Sequence, residues 1–190
     1  AISGGEDAAA IFFDMLCAFP SVSHRYLWSV LAAAGIPMQF IRAIMKLYKS
    51  NRHKIKIGGL VFDGPSVLAG VRQGCPLSMI LFAICLEPLL RKIVALLHPE
   101  DVLGAFADDL GIVSDNIRKI LPELVVLFRD FTKISKLELN ISKCVLVPLC
   151  AKDRLPRWSH LVHEVAPEWS GFAIRQWAEY LGFFVGPDNV

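Results

Sequence analysis

Hydrophobic and polar positions divide this chain into short apolar runs and longer amphipathic segments. Residues 9–14 are almost wholly apolar, as in a buried strand, and residues 144–149 form a second run of this kind. The amphipathic segments between such runs are long enough for helices. Because helices packed on one side of a small antiparallel sheet make an α+β domain, α+β is the predicted fold class.

Glycine and proline mark the ends of the first predicted elements. Gly35-Ile36-Pro37 ends a helix predicted for residues 23–34, and a second helix is predicted for residues 38–50. Residues 54–68 are predicted to form a hairpin that turns at Gly58-Gly59. The first part of the chain is thus a strand, two helices and a hairpin.

Prolines also shape the predictions for the second half. Pro76 and Ser78 stand where a helix can start, and the helix is predicted to continue over residues 79–97, with a kink or break at Pro88. The remaining predictions are a helix over 117–135 with Pro122 near its start, a variable Pro- and Trp-containing stretch over 150–176, and a final strand over 179–185.

The composition fits one domain with an unusually apolar surface. A chain of 190 residues can bury a sizeable core. The hydrophobic fraction of 54% and the mean hydropathy of +0.49 are high for a free-standing soluble domain, which indicates surface that missing neighbours normally cover. The longest uncharged apolar run, residues 79–86, is too short to span a bilayer, so no membrane segment is predicted. Because the chain does not begin with Met, we interpret it as a piece of a longer protein.

Cysteine and histidine spacing argues against a disulfide framework and a zinc site. The five cysteines are odd in number and contain no C-x-x-C pair, which favours a reducing intracellular compartment. His160 and His163, with Glu164 nearby, offer metal ligands, but their spacing is not that of a zinc protease. Surface histidines on a loop or helix are the favoured interpretation.

Two adjacent aspartates carry the candidate chemistry. Asp108 and Asp109 lie between two short apolar runs, which predicts a hairpin that presents both acids at its tip. Asp14 ends the first buried strand and could supply a third carboxylate. Three converging carboxylates repel one another, and their oxygens suit Mg²⁺. Two such ions about 4 Å apart would stabilise the attacking and leaving oxygens of a phosphoryl displacement. The pattern therefore indicates nucleotidyl transfer.

Basic residues are concentrated in one stretch, although the net charge is only +2. No acid stands between Met38 and Phe62. Helical spacing places three of these basic residues on one stripe, opposite Phe40, Ile41, Ile44 and Leu47, and alternation places two lysines on one side of a strand. The predicted phosphate-backbone contacts are Arg42, Lys46, Lys49, Arg52, Lys54 and Lys56. A solvated amphipathic face is the alternative interpretation.

Five segments resemble, in order and spacing, the palm of a reverse transcriptase, and specifically that of non-LTR (LINE-type) retrotransposons. The second segment is the most specific match. The resemblance spans roughly residues 11–186. Its segments are Phe13–Phe19 with the first aspartate, Gly70–Ser78, Phe106–Asp109 with Phe where the family usually has Tyr, Leu137–Lys143, and Tyr180–Gly186.

The resemblance implies a polymerase palm, with a small antiparallel sheet of the RRM or ferredoxin type, helices on one face and part of the fingers included. Residues 1–190 would be a single reverse transcriptase domain fragment without the N-terminal fingers and the thumb of its parent polyprotein. The implied activity is RNA-directed DNA polymerisation, with an RNA template, a DNA primer, dNTPs and two Mg²⁺ ions, for which Mn²⁺ can substitute. An intact parent element would act in the nucleus.

The resemblance also implies roles at the catalytic centre. Asp14 and Asp108 would ligate both metals, and Asp109 would lie close by and assist. The backbone carbonyl of Met15 would complete the ion on the triphosphate side, and the primer 3′-hydroxyl would attack the α-phosphate. Leu181 and Gly182 would belong to the primer grip.

Further residues would bind the incoming nucleotide. Phe19 matches a steric gate against the ribose 2′-hydroxyl, although an ordinary core aromatic is the alternative. Gln73 would touch the nucleotide, and Gly74 would let the backbone approach template or nucleotide. Arg72 would contact phosphate or make an internal ion pair. Lys143 would protonate or neutralise the leaving pyrophosphate, or else is a surface lysine.

Two departures from the family pattern favour an alternative function. Cys17 stands where the family commonly has Lys, and Pro20 where it has Asp. With both clamps missing, the chain could be a catalytically inactive, truncated remnant that at most binds nucleic acid. Residues 3–7 also resemble the signature turn of diguanylate cyclases, but their position before the first strand favours a flexible Gly-rich entry.

Overall fold

The computed structural model describes residues 6–49, 52–149 and 155–187, without the side chain of Arg52. Residues 3–5 of the cyclase-like segment therefore lie outside the described residues. The strands are β1 (Ala9–Phe13), β2 (Met15–Leu16), β3 (Arg52–Ile57), β4 (Leu60–Ser66), β5 (Val102–Phe106), β6 (Asp109–Ser114), β7 (Glu138–Leu139), β8 (Val145–Pro148), β9 (Ala173–Ile174), β10 (Ala178–Tyr180) and β11 (Phe183–Val185). The helices are α1 (Ala18–Ser21), α2 (His24–Ala33), α3 (Met38–Tyr48), α4 (Pro76–Leu96), α5 (Ile117–Ser135) and α6 (Leu155–Val165), with a short 3-10 helix at Pro167–Trp169.

A five-stranded sheet with the order β5-β6-β1-β8-β9 forms the centre of the fold. β1 is antiparallel to both β6 and β8, and only β8 and β9 run parallel. All five residues of β1 are buried, because both faces of the sheet are covered there. This confirms the predicted α+β class and the strand predicted for residues 9–14.

The two faces of the sheet contact different parts of the chain. On one face, Ile11 and Phe13 belong to the main hydrophobic core, which includes the buried sides of α2, α4 and α5. On the other face, Phe12 joins a small cluster beneath the hairpin of β10 and β11. The alternation of side chains along β1 therefore divides the core into two layers.

The predicted helices are confirmed as α2 to α5, and their ends have local causes. The side chain of Ser23 accepts a hydrogen bond from Tyr26 N and caps α2. Asn116 caps α5 in the same way, and Lys136, at φ 66°, ends it. Of the kink or break predicted at Pro88, the break is wrong, because α4 continues through this residue, and the kink stays a prediction. Buried apolar side chains on both sides of Pro88 compensate for the missing backbone hydrogen bond.

The C-terminal predictions need two corrections. Residues 150–176 contain α6, the 3-10 helix and β9 where a variable stretch was predicted. The single strand predicted for 179–185 is a hairpin of β10 and β11. Leu181 and Gly182 form its turn at φ 52° and 83°, and positive φ at both positions is typical of a tight two-residue turn. Among the described residues, no helix has the length and apolarity needed to cross a membrane.

Candidate active site

Asp14 lies directly after β1, at the edge where the β5–β6 turn also lies. The register pairs Phe13 with Leu110, so that one step further Asp14 stands beside Asp109. The backbone carbonyl of Asp14 accepts a hydrogen bond from Asn140 N at 2.8 Å. The Cys144 thiol contacts the N–H of Asp14 at 3.4 Å. These contacts fix the backbone from which the Asp14 carboxylate projects.

The second and third carboxylates lie on the hairpin of β5 and β6, as predicted. Ala107 and Asp108 form a two-residue turn, and Asp109, paired with Phe106, is the first residue of β6. Ala107 has φ 53°, a left-handed conformation that tight hairpin turns require. The turn therefore brings both acids to the strand end that carries Asp14.

The electrostatics of this strand end are those of mutually repelling acids. Partial burial raises the pKa of Asp109 first, and the charges of Asp108 and Asp14 raise it further. A carboxylate whose ionisation is opposed by two neighbouring carboxylates suits a divalent cation, whose charge would relieve the repulsion. Within the described ranges, however, no three His, Cys, Asp or Glu side chains form a group that could hold a metal ion as placed. Metal ligation by Asp14, Met15, Asp108 and Asp109 therefore stays a prediction.

Cys144 is a site residue that the sequence reasoning missed. Its thiol is fully buried, and burial raises its pKa to about 11, so the thiol is neutral at ordinary pH. The sulfur contacts both the N–H of Asp14 and, at 3.8 Å, the Asp14 carbonyl oxygen. The only signal for this role was its place at the start of the apolar run 144–149.

The loop that begins at Gly70 is bonded to the segment after Asp14. Val71 N donates to the Phe19 carbonyl and Gly70 N to the Val22 carbonyl, each at 2.7 Å. Gly70 has φ 85°, and a Cβ there would lie 2.5 Å from the Pro20 carbonyl oxygen, so this approach requires glycine. The contact brings Phe19 next to the loop that carries the predicted nucleotide contacts.

Phe19 is half-buried and stacks on Phe82, with ring centroids 4.7 Å apart. Gln73 and Gly74 form an exposed turn in which Gly74 has φ 79°. Arg72 donates to the Leu47 carbonyl at 2.7 Å, and its guanidinium lies over the Tyr48 ring. Arg72 therefore makes internal contacts with a helix carbonyl and a ring, and its predicted phosphate contact or ion pair stays a prediction.

A cavity of about 850 Å³ adjoins this loop. Its lining includes Pro20, Arg72 and Gln73, together with His53, which the sequence reasoning did not assign to a site. His53 lies at an irregularity in the pairing of β3 with β4. The cavity therefore connects the loop with the hairpin that carries part of the basic stretch.

Hydrogen bonds of neighbouring residues connect Lys143 and the turn of the last hairpin to the aspartates. Lys143 is exposed. Its backbone N–H donates to the Asn140 carbonyl, and the Asn140 N–H donates to the Asp14 carbonyl. Leu181 and Gly182 follow Tyr180, whose hydroxyl donates to the Asp109 carbonyl at 3.4 Å. Lys143 is therefore linked to Asp14 through Asn140, and Leu181 and Gly182 directly follow a residue that is bonded to Asp109.

The basic stretch is only partly as predicted. Arg42 and Lys46 are exposed on α3, away from the buried Ile41 and Ile44. Lys49 is exposed in the extended residue that follows α3, so its predicted place on the helical stripe is wrong. Phe40 and Leu47 share the α3 face of Ile41 and Ile44, as predicted, but they are 59% and 57% exposed, so this apolar face is only partly covered. The α3 surface therefore mixes cationic and apolar side chains.

On the following hairpin, Lys54 pairs with Asp63 across β3 and β4, which offsets its charge. Lys56 is exposed, and the side chain of Arg52 lies outside the description. The histidines considered as zinc ligands, His160 and His163, are exposed on α6. Their exposure fits the favoured interpretation as surface residues.

Comparisons with known proteins agree with this geometry. The family described as reverse transcriptase (RNA-dependent DNA polymerase) matches residues 3–184. The chain is 32% identical over 121 residues to the transposon TX1 uncharacterized 149 kDa protein of Xenopus laevis, covering 60% of this chain and 9% of that protein. It is also 32% identical over 144 residues to the retrovirus-related Pol polyprotein from the type-2 retrotransposable element R2DM of Drosophila melanogaster, covering 70% of this chain and 13% of the relative.

The chain thus spans a small part of these relatives, and solved structures add support for the fold. A telomerase from Candida tropicalis in complex with a TWJ fragment of telomeric RNA superposes with a TM-score of 0.61 at 16% identity, over 74% of this chain and 26% of that one. The apo telomerase of the same species, truncated from its C-terminal domain, gives a TM-score of 0.51 at 14% identity, over 94% and 34%. At this identity the likeness concerns the fold alone.

Proposed function

Since this chain belongs to the reverse transcriptase (RNA-dependent DNA polymerase) family, and its relatives are retrotransposon proteins, we propose that it is the polymerising palm of a non-LTR element. The reaction adds dNTPs to the 3′-hydroxyl of a DNA primer on an RNA template. The observation that supports this best is the strand end that carries Asp14, Asp108 and Asp109, where partial burial raises the pKa of Asp109 and the charges of Asp108 and Asp14 raise it further.

Reverse transcriptases generally use divalent metals, and the donor set of this strand end fits them. Asp14 and Asp108 would hold two Mg²⁺ ions, with Asp109 and the Met15 carbonyl completing the set. When bound, the ions would lower the pKa of the attacking hydroxyl and offset charge on the leaving pyrophosphate. The chain itself fixes the Asp14 backbone through Cys144 and holds Asp108 in a tight turn, so the backbone that carries both carboxylates is held before substrate arrives.

The nucleotide side of the site follows from the packing of the Gly70 loop. Phe19, held by stacking on Phe82, would exclude a ribose 2′-hydroxyl. Gln73 and Gly74, exposed beside it, would contact the base or sugar of the incoming nucleotide. Arg72 would orient the loop through the Leu47 carbonyl, and Lys143 would neutralise the pyrophosphate.

The nucleic-acid partners would approach along the basic stretch and the last hairpin. Arg42 and Lys46 present exposed charge on α3, Lys49 adds charge directly after the helix, and Lys56 extends it onto the β3–β4 hairpin. Lys54 contributes less because Asp63 pairs with it. The turn at Leu181 and Gly182 would hold the primer. An intact parent element would carry out this reaction in the nucleus.

A catalytically inactive remnant is the second candidate function. Cys17 has a left-handed φ of 46° at the start of α1, and Pro20 presses its backbone against Gly70. Both residues replace polar ones beside the site. The carboxylates are also not grouped as a metal site within the described part of the chain. In that case the fold would persist without turnover.

Primer extension separates the two candidates. The purified chain is tested on an RNA template with Mg²⁺ and then Mn²⁺, beside Asp108→Asn and the control Asp130→Asn, which removes an exposed carboxylate of α5. Polymerase function predicts extension by wild type and control, and a loss of at least about 100-fold in Asp108→Asn. No extension in either metal would refute polymerase activity for this chain and leave the remnant.

A further inference from the structure

Two glycines face each other across β5 and β6 and leave a slot in the sheet. Gly104 and Gly111 are register partners, and Gly111 is in turn the partner of Phe12 on β1. Partners in a sheet share a face, so these three positions form a row toward the small hydrophobic cluster. Neither glycine has positive φ, so backbone conformation does not require them.

The ring of Tyr180 fills this slot. It stacks on Phe12 with ring centroids 5.1 Å apart. A Cβ on Gly104 would lie 3.1 Å from the Tyr180 hydroxyl, and one on Gly111 would lie 3.5 Å from the ring. The hydroxyl donates to the Asp109 carbonyl at 3.4 Å. One side chain therefore touches three strands and the backbone of a predicted catalytic residue.

The rest of the last hairpin has little else to hold it. Leu181, Phe183 and Phe184 are 44%, 75% and 57% exposed. Within the described residues, β10 and β11 pair only with each other. Ala178 and Val185 add small contacts beneath the hairpin. The position of the Leu181–Gly182 turn thus depends mainly on Tyr180.

We propose that Tyr180 is a positioning residue, which ties the Leu181–Gly182 turn to the Asp109 strand through the Gly104–Gly111 slot. The proposal rests on the proposed polymerase function, because a turn that holds the primer must keep a fixed distance from the aspartates. Phe12, Gly104 and Gly111 shape the slot, and the Tyr180 hydroxyl sets how far the ring enters it. Movement of the ring would move the primer terminus relative to Asp108 and Asp109.

A rescue experiment tests the fit of this slot. Gly104→Ala places a methyl group against the Tyr180 hydroxyl. Tyr180→Phe removes that hydroxyl, so that the nearest contacts of the new methyl group are ring carbons at 3.7 Å. In Gly111→Ala the close contacts, 3.1 and 3.2 Å, are with Phe12, so Tyr180→Phe cannot relieve them. Gly111→Ala with Tyr180→Phe is therefore the matched control, and Glu179→Gln, exposed on the same strand, controls for the hairpin surface.

Amide hydrogen exchange of residues 178–185 reports the position of the hairpin in the full chain. We expect exchange about tenfold faster in Gly104→Ala, a return toward wild type when Tyr180→Phe is added, and no return for the Gly111→Ala pair. Unchanged exchange in Gly104→Ala, or no rescue, would overturn the proposal. So would equal rescue of both glycine variants.

Primer extension by the same proteins separates positioning from simple support. Extension should fall in Gly104→Ala and recover with Tyr180→Phe, chiefly through the KM for the primer. Recovered exchange without recovered extension would overturn the positioning role. A wild-type chain that extends no primer would refute the polymerase function instead, while the exchange experiment would still decide whether Tyr180 fixes the hairpin.

Discussion

The two faces of the central sheet differ in what they bury. On the helix face, Ile11, Leu110 and Ile112 are fully buried within one large core. On the hairpin face, the buried residues are Ala10, Phe12, Val147 and Ala178. Asp14 and Asp109 lie at one end of the strands that separate these two faces. One face therefore stabilises the fold, and the other sets the position of the last hairpin relative to the aspartates.

Removing a ring from the helix face should have the largest effect on stability. Phe13 packs against the rings of Phe128, Trp169 and Phe172, with ring centroids 4.8, 5.5 and 6.1 Å apart. Phe13→Ala should lower the free energy of unfolding by about 3–5 kcal/mol, because the cavity cannot close among packed rings. Urea unfolding followed by circular dichroism measures it, and a loss below about 1 kcal/mol would contradict the division between the faces.

Removing the neighbouring ring, on the hairpin face, should lower the free energy of unfolding less and should affect mainly the last hairpin. Phe12 stacks on Tyr180 and remains 9% exposed. Phe12→Ala should lower the free energy of unfolding by about 2 kcal/mol, the transfer free energy of one ring. In Phe12→Ala, the rate of amide exchange should rise in residues 178–185 before it rises in α4 or α5. Equal acceleration on both faces would show that the sheet responds as one unit.

The smallest effect should come from the Tyr180 hydroxyl. Its hydrogen bond to Asp109 is long, at 3.4 Å, and the side chain is half-buried. Tyr180→Phe should therefore change the free energy of unfolding by no more than about 1 kcal/mol in the same urea assay. A larger loss would mean that the hydroxyl, and not the ring in the slot, holds the hairpin.

The sequence predicted those parts of the site that depend on local pattern. Asp108 and Asp109 stand between two apolar runs, and that local arrangement is enough to define a hairpin tip. Asp14 follows a run whose every residue is buried. Helices α2 to α5 follow from their periodicity and caps. The reverse transcriptase fold was recognised because its motifs lie within such local elements.

The missed features depend on pairing between segments. Lys54 meets Asp63 through the register of the hairpin that turns at Gly58-Gly59, so the predicted turn already contained the signal for this pair. Tyr180 fills a slot on the distant strands β5 and β6, and the Asp109 carbonyl that it contacts lies 71 positions earlier in the sequence. The helix α6 did leave a signal, since Trp158, Leu161 and Val162 are buried at helical spacing, but Pro156 and the polar residues around them obscured it.

Manganese binding at the shared strand end tests the central interpretation most directly. The free Mn²⁺ signal in electron paramagnetic resonance is followed for wild type, Asp14→Asn/Asp108→Asn, and Asp63→Asn/Asp130→Asn, which removes equal charge elsewhere. One carboxylate site predicts about two ions bound by wild type and by the second variant, and a clear loss in the first. Identical binding curves for all three proteins would contradict a metal site formed by Asp14 and Asp108.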